Sequence, residues 1–222
     1  MTIRSTESSG TDMRFARIGI VLLALLLLLT SCSARFARDE DGYGYTDTKT
    51  DRHYRVLDAA YEAARVGEKL GEYKDRKNGV ARTFHSIPDL DPRRFLADAT
   101  GMVLCADETL PDATEWEIAS VLVCDEDAVS IVIKTLTDKE TASAVADAWF
   151  SGEEAELPLD KATHTARVKL TTAELPNLLY CFSFYVYENG DGYCYDATQR
   201  RAIALSSEMT ALLCDAAGWR RE

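Results

Sequence analysis

Side chains able to do chemistry are plentiful in this chain, but their spacing withholds most of the chemistry they could perform. Six cysteines stand at Cys32, Cys105, Cys124, Cys181, Cys194 and Cys214, and none forms the C-x-x-C spacing of a zinc cluster. His53, His85 and His164 are scattered, without HExxH, so spacing offers no metal site. There is no GxSxG elbow for a nucleophilic serine, and neither a P-loop nor GxGxxG for a nucleotide. Carboxylates abound, and that abundance makes any single pair uninformative. A glycosidase needs two of them about 5–9.5 Å apart across a cleft, and no feature locates a cleft. The run Glu188-Asn189-Gly190-Asp191-Gly192 has some look of a calcium loop. It lacks the alternating oxygen ligands and closing glutamate of an EF-hand, and reads better as a hairpin turn. No catalytic residue, metal or cofactor is expected.

One binding surface is suggested. In the strand expected at Leu178–Tyr187, Leu179, Cys181, Ser183, Tyr185 and Tyr187 share a face. If helices cover only the other face, Tyr185 and Tyr187 with Tyr193 and Tyr195 could form an exposed aromatic patch. Tyrosine suits such a surface because a rigid apolar ring ends in a polar tip. The plainer reading is aromatic packing across neighbouring strands.

Ahead of these residues lies Ile18–Cys32, IGIVLLALLLLLTSC, preceded by Arg14 and Arg17. A positive region, a short apolar region and small residues before a cut are the layout of a secretory signal peptide. Leu29-Thr30-Ser31-Cys32 resembles the lipobox of bacterial lipoproteins. The resemblance implies a diacylglyceryl group on Cys32, cleavage before it, and anchoring to the cell membrane on the extracytoplasmic side. In a Gram-negative host, Ser33 is compatible with the outer membrane. The apolar run is twelve residues, short of the about 20 that span a bilayer, and its five successive leucines leave no polar face for a core helix. Met13 gives a more ordinary start than Met1.

The expected division is a signal peptide over 1–31, a flexible tether over 32–50 and a single domain over 51–222. The mature 191 residues are enough for one core. Removing the three basic and two acidic residues of the signal leaves 22 Lys+Arg against 35 Asp+Glu, a net −13. Such a charge argues against nucleic acid and anionic headgroups as partners. Five cysteines remain in the domain; the odd number leaves at least one unpaired. A hairpin turn at Asn189-Gly190 would put Cys194 and Cys181 about 13–16 Å apart, beyond disulfide reach. Most of the five read as small buried hydrophobes, with one bridge between distant elements left open.

The elements come in order. Asp39-Glu40-Asp41 in the tether reads as a solvated charge run. Val56, Ala59, Ala60, Ala63, Val66, Leu70 and Tyr73 recur at helical spacing and predict a helix over 51–73. Asp91-Pro92 predicts a short helix to about Ala99. Strands follow at 102–105, 116–124 and 128–136, the last two as a hairpin. A capping box at Thr137 and Glu140 starts a helix carrying Ala142, Val145, Ala146, Trp149 and Phe150 on one stripe. Strands resume at 164–171, 178–187, 193–195 and 200–205, before a helix capped by Ser206 or Ser207. The expected fold is α+β: a largely antiparallel sheet of about five to seven strands with helices packed mainly on one face.

Anchor, tether and the lack of a catalytic constellation favour a non-catalytic envelope lipoprotein that binds a protein or wall component. A small-ligand module using a sheet–helix pocket is the alternative, and an enzyme of unrecognised type the third.

Overall fold

The computed structural model describes residues 34–75, 77–106, 112–127 and 131–219. The signal segment and Cys32 lie outside the described residues. Strands dominate. Two seven-stranded sheets, all of whose pairings are antiparallel, account for the fold. Two α-helices accompany them among the described residues. The architecture therefore leans to all-β, and the expected single sheet of five to seven strands is corrected to two.

The first sheet is built from β1 (Phe36–Arg38), β2 (Gly44–Asp47), β3 (Arg52–Val56), β5 (Lys69–Asp75), β6 (Val80–His85), β7 (Phe95–Asp98) and β8 (Val103–Cys105), ordered β1-β2-β3-β8-β7-β6-β5. It curls until its two edges meet. Arg35 Nη1 donates to the Leu70 carbonyl at 2.7 Å, and a Cβ on Gly71 would come within 2.9 Å of the Phe36 ring. Phe36, Tyr45, Tyr54, Phe84, Leu96 and Leu104 fill the interior, with Phe36 and Tyr45 rings 4.7 and 4.8 Å from Phe84.

Three expectations fail here. The tether is corrected: residues 36–47 form β1 and β2, because Phe36 and Tyr45 supply two of the six core side chains. The helix over 51–73 is corrected to β3, β4 (Tyr61–Ala63) and β5. Its helical spacing is broken at Asp58, whose carboxylate accepts from the Ala60 amide at 3.1 Å and whose carbonyl accepts from Tyr61. Such local side-chain bonding turns the backbone away from a helix. At Asp91-Pro92 one turn does form, with Arg94 and Phe95 amides both reaching the Asp91 carbonyl. It ends there because Phe95–Asp98 is buried on both faces as β7.

β9 (Ile118–Asp125), β10 (Val132–Leu136), β11 (His164–Thr172), β12 (Leu178–Val186), β13 (Gly192–Asp196) and β14 (Arg201–Ala204) make the second sheet, ordered β10-β9-β11-β12-β13-β14. β4 pairs with β12, and Glu62 also bridges to Met102 of the first sheet. Leu57, Ala63, Ile87, Phe95, Val103 and Leu178 form the core where the sheets join.

Both helices contribute to the second sheet's core. α1 (Lys139–Phe150) supplies Ala142, Val145, Ala146 and Trp149, and α2 (Ser207–Ala216) supplies Leu213 and Cys214. They meet Val121, Val123, Ala166, Val168, Leu170, Phe182 and Phe184. Trp149 stacks on Phe182 at 4.8 Å. α1 is capped one residue later than expected: Asp138 accepts from the Thr141 amide at 2.8 Å. Ser206 caps α2 through the Met209 amide. No helix of the described residues is long and apolar enough to cross a membrane.

Candidate functional site: the tyrosine face of the second sheet

Alternation along a strand sends successive side chains to opposite faces. On β11, Ala166, Val168 and Leu170 therefore go to the helices, while Thr165, Arg167, Lys169 and Thr171 go to the other side. On β12 that other side carries Leu179, Cys181, Ser183 and Tyr185, and on β13 Tyr193 and Tyr195. The Asn189-Gly190 turn fixes this register. Gly190 takes a φ of +85°, and its amide donates to the Tyr187 carbonyl at 2.9 Å. Tyr185 then faces Tyr193, and Ser183 faces Tyr195.

The structure brings all four anticipated tyrosines together in two ring pairs. Tyr185 and Tyr195 lie 6.1 Å apart between centroids, and Tyr187 meets Tyr193 edge-on at 5.5 Å. Cross-strand packing and an accessible aromatic surface are thus both present. Tyr187 is buried, and Tyr185, Tyr193 and Tyr195 are half-buried with part of each side chain still open to solvent. Burial pushes the Tyr187 hydroxyl pKa up, helped by Tyr185, Tyr193 and Asp160 beside it. The Tyr187 hydroxyl thus stays protonated, a hydrogen-bond donor and acceptor.

Sequence reasoning missed the cation beside them. Arg167 sits opposite Ser183 on β12 and Cys124 on β9 and donates to the Ser183 hydroxyl at 3.3 Å. Glu126 lies within its field, its carboxyl raised by burial and by Asp127 and lowered by Arg167. The alternation of Arg167 and Lys169 against Ala166, Val168 and Leu170 was the available signal. It shows which face they share, not that the tyrosines share it.

Toward the junction of the sheets the same face becomes polar and buried. Lys169 donates to Glu62, and the Cys181 thiol donates to Glu62 Oε2 at 3.7 Å. Burial pushes the Cys181 thiol up to about 12, and raises the thiols of Cys124 and Cys194 as well. A thiol so held is a poor nucleophile. Cys105, Cys124, Cys181, Cys194 and Cys214 are all buried, as expected of small hydrophobes. Cys105 and Cys124 fall in different sheets, and Cys194 faces Phe184 across the β12–β13 ladder.

Elsewhere, Asp39, Thr46 and His53 resemble a nucleophile array in composition only. Thr46 donates its hydroxyl to Asp39 at 2.6 Å, while His53 Nδ1 lies 2.9 Å from the same oxygen. When the hydroxyl hydrogen points at the Asp39 carboxylate it is not available to the imidazole, the reverse of what activation requires. His85 bonds the Gly67 carbonyl and His164 stacks on Trp219, so the histidines do not converge. Among the described residues no three His, Cys, Asp or Glu side chains are grouped to hold a metal ion. A cleft of about 240 Å³ lies between Lys139 at the start of α1 and Ile118 and Thr172 of the sheet. It falls below the roughly 300–1,000 Å³ of small-molecule sites. No known family, curated protein or solved structure matches the chain.

Proposed function

We propose that this chain is a non-catalytic, lipid-anchored protein of the cell envelope. Its second sheet binds a protein or wall component through Tyr185, Tyr193, Tyr195 and Arg167. Cys32 carries the acyl chains, and two or more chains give stable anchoring where one is marginal. The observation behind the binding role is the placement of three half-buried tyrosines and an arginine on the face opposite both helices. Tyrosine and arginine are enriched at the hot spots of recognition surfaces, tyrosine because a rigid ring brings large contact area with few rotatable bonds and arginine because its planar guanidinium offers a preorganised fork of donors. A small-ligand role in the sheet–helix cleft has less support, since that cleft is undersized for it.

The test is co-sedimentation of the protein with wall material and envelope proteins from its host, comparing wild type with Tyr195→Ala and Arg167→Ala. Each change should weaken capture about tenfold or more while leaving the melting temperature within a few degrees. Capture of both variants equal to that of wild type would reject the tyrosine face as the binding surface.

A further inference from the structure

The chain's entry into the fold leaves almost no slack behind the acylation site. Phe36 is buried as the first residue of β1, and Cys32 precedes Arg35 by three residues. Three residues fully extended span at most about 11 Å. The headgroup layer of one leaflet is about 5–8 Å thick. An acylated Cys32 therefore holds the end of the first sheet around Arg35 at the headgroups, not above them.

That end is built around guanidinium groups. Arg35 pairs with the buried Asp47 at 2.6 Å, and Thr48 donates twice to the Arg35 carbonyl, pinning the β2–β3 turn beside the entry point. A cleft of about 130 Å³ opens there, its charged lining being Arg35, Arg52, Arg93 and Asp47. Asp47 is the single carboxylate among them and is committed to Arg35. Arg52 is exposed and donates to the Arg93 carbonyl at 2.9 Å. Arg93 is 77 % exposed in its side chain and pairs with Asp91 at the surface. Lys49 and Asp51 both stand exposed on the same turn. Arg35, Lys49, Arg52 and Arg93 against Asp47, Asp51 and Asp91 leave one net positive charge where the anchor emerges, in a mature chain of net −13.

We propose that this end of the first sheet is a bilayer-facing surface on which Arg52 and Arg93 bind lipid phosphates. The proposal rests on the lipoprotein reading and adds how the domain sits on its membrane. Net charge over the whole chain argues against such a contact; at the anchor the charges nearly balance, and the exposed guanidinium groups of Arg52 and Arg93 make the contact. The planar guanidinium donates two parallel hydrogen bonds to a phosphate, and near a membrane surface bearing anionic lipid each engaged arginine is worth about fivefold in occupancy.

The experiment is hydrogen exchange of the mature, acylated protein purified from membranes, its intact mass measured first. Dodecyl maltoside micelles, phosphatidylcholine vesicles and vesicles containing phosphatidylglycerol are compared, with Arg52→Glu/Arg93→Glu and Arg52→Lys/Arg93→Lys. On vesicles, amides of 48–52 and 93–95 should slow about fivefold or more relative to micelles, most strongly with the anionic lipid. The glutamate variant should lose that slowing and the lysine variant keep part of it, while both stay vesicle-bound through the acyl chains. Equal exchange in micelles and vesicles, or slowing that survives charge reversal, would overturn the proposal. Slowing by inorganic phosphate in micelles would overturn it too, by making the cleft a soluble-anion site. A mass without lipid would instead remove the anchor itself.

Discussion

Lys169, 3 % exposed, donates to both carboxylate oxygens of Glu62 at 2.9 Å. Glu62 lies on β4, which pairs with β12 and bridges to Met102, so this ion pair sits where the two sheets are joined. The two partners differ in their access to water: the lysine side chain is 4 % exposed and the glutamate 31 %. That difference fixes which deletion hurts more. Glu62→Gln strands a buried ammonium and should cost about 3–5 kcal/mol. Lys169→Met leaves a carboxylate that water can reach, and should cost less. Urea unfolding of the two variants measures both, and equal losses would show that the pair is solvated in solution.

At the opposite seam, Gly71 closes the first sheet. A Cβ there would lie 2.8 Å from the Arg35 Cβ and 2.9 Å from the Phe36 ring, closer than side-chain carbons approach in folded proteins. Gly71→Ala must therefore push β1 off β5. The expected loss is about 1–3 kcal/mol, the usual cost of overpacking, with faster amide exchange in 36–38. An unchanged melting temperature would mean that the two edges do not meet.

Why this seam was invisible in the sequence is instructive. β1, β2 and β4 are three or four residues long, and two periods of alternation cannot be told from chance. The apolar positions from Val56 to Tyr73 matched a helix because Ala59, Ala60 and Ala63 suit one. In the fold, Ala60 packs in a turn and Ala63 in a strand. The second sheet was legible because its strands run up to nine residues and carry strong punctuation, such as Asn189-Gly190. The four tyrosines could be placed on one face from that turn. Arg167 could not be set against Ser183, because the pairing of β11 with β12 crosses a loop whose length does not dictate register.

Buried thiols make a third prediction. Cys181 and Cys194 are each 1 % exposed, and burial raises both thiols, that of Cys181 to about 12. At pH 8 neither should react with a thiol reagent faster than the protein opens. In denaturant, all five cysteines of the folded region should label within minutes. Because reaction then follows the population of the opened state, Glu62→Gln should speed native-state labelling in proportion to its loss of stability. Rapid native labelling of Cys181 would show that this face opens locally.

Acid should destabilise the fold in part through Asp47. Burial pushes its carboxyl up, but hydrogen bonds from Arg35, the Lys49 amide and Thr50, with the charge of Arg35, outweigh burial and hold it below the ordinary carboxylate range. A group with a lowered folded pKa contributes stability that is complete above its unfolded value, about 3.9, and is lost as pH falls through the folded one. Asp47→Asn removes that contribution. Wild type should melt well above the variant at pH 7, and the gap should narrow steadily below about pH 4. Other carboxylates held low, such as Glu72, Asp75 and Asp91, are shared by both proteins and cancel in the difference. Melting temperatures from pH 7 to about 2.5 decide the matter: a gap that stays constant would mean that Asp47 acts through shape alone and that its pairing with Arg35 adds nothing.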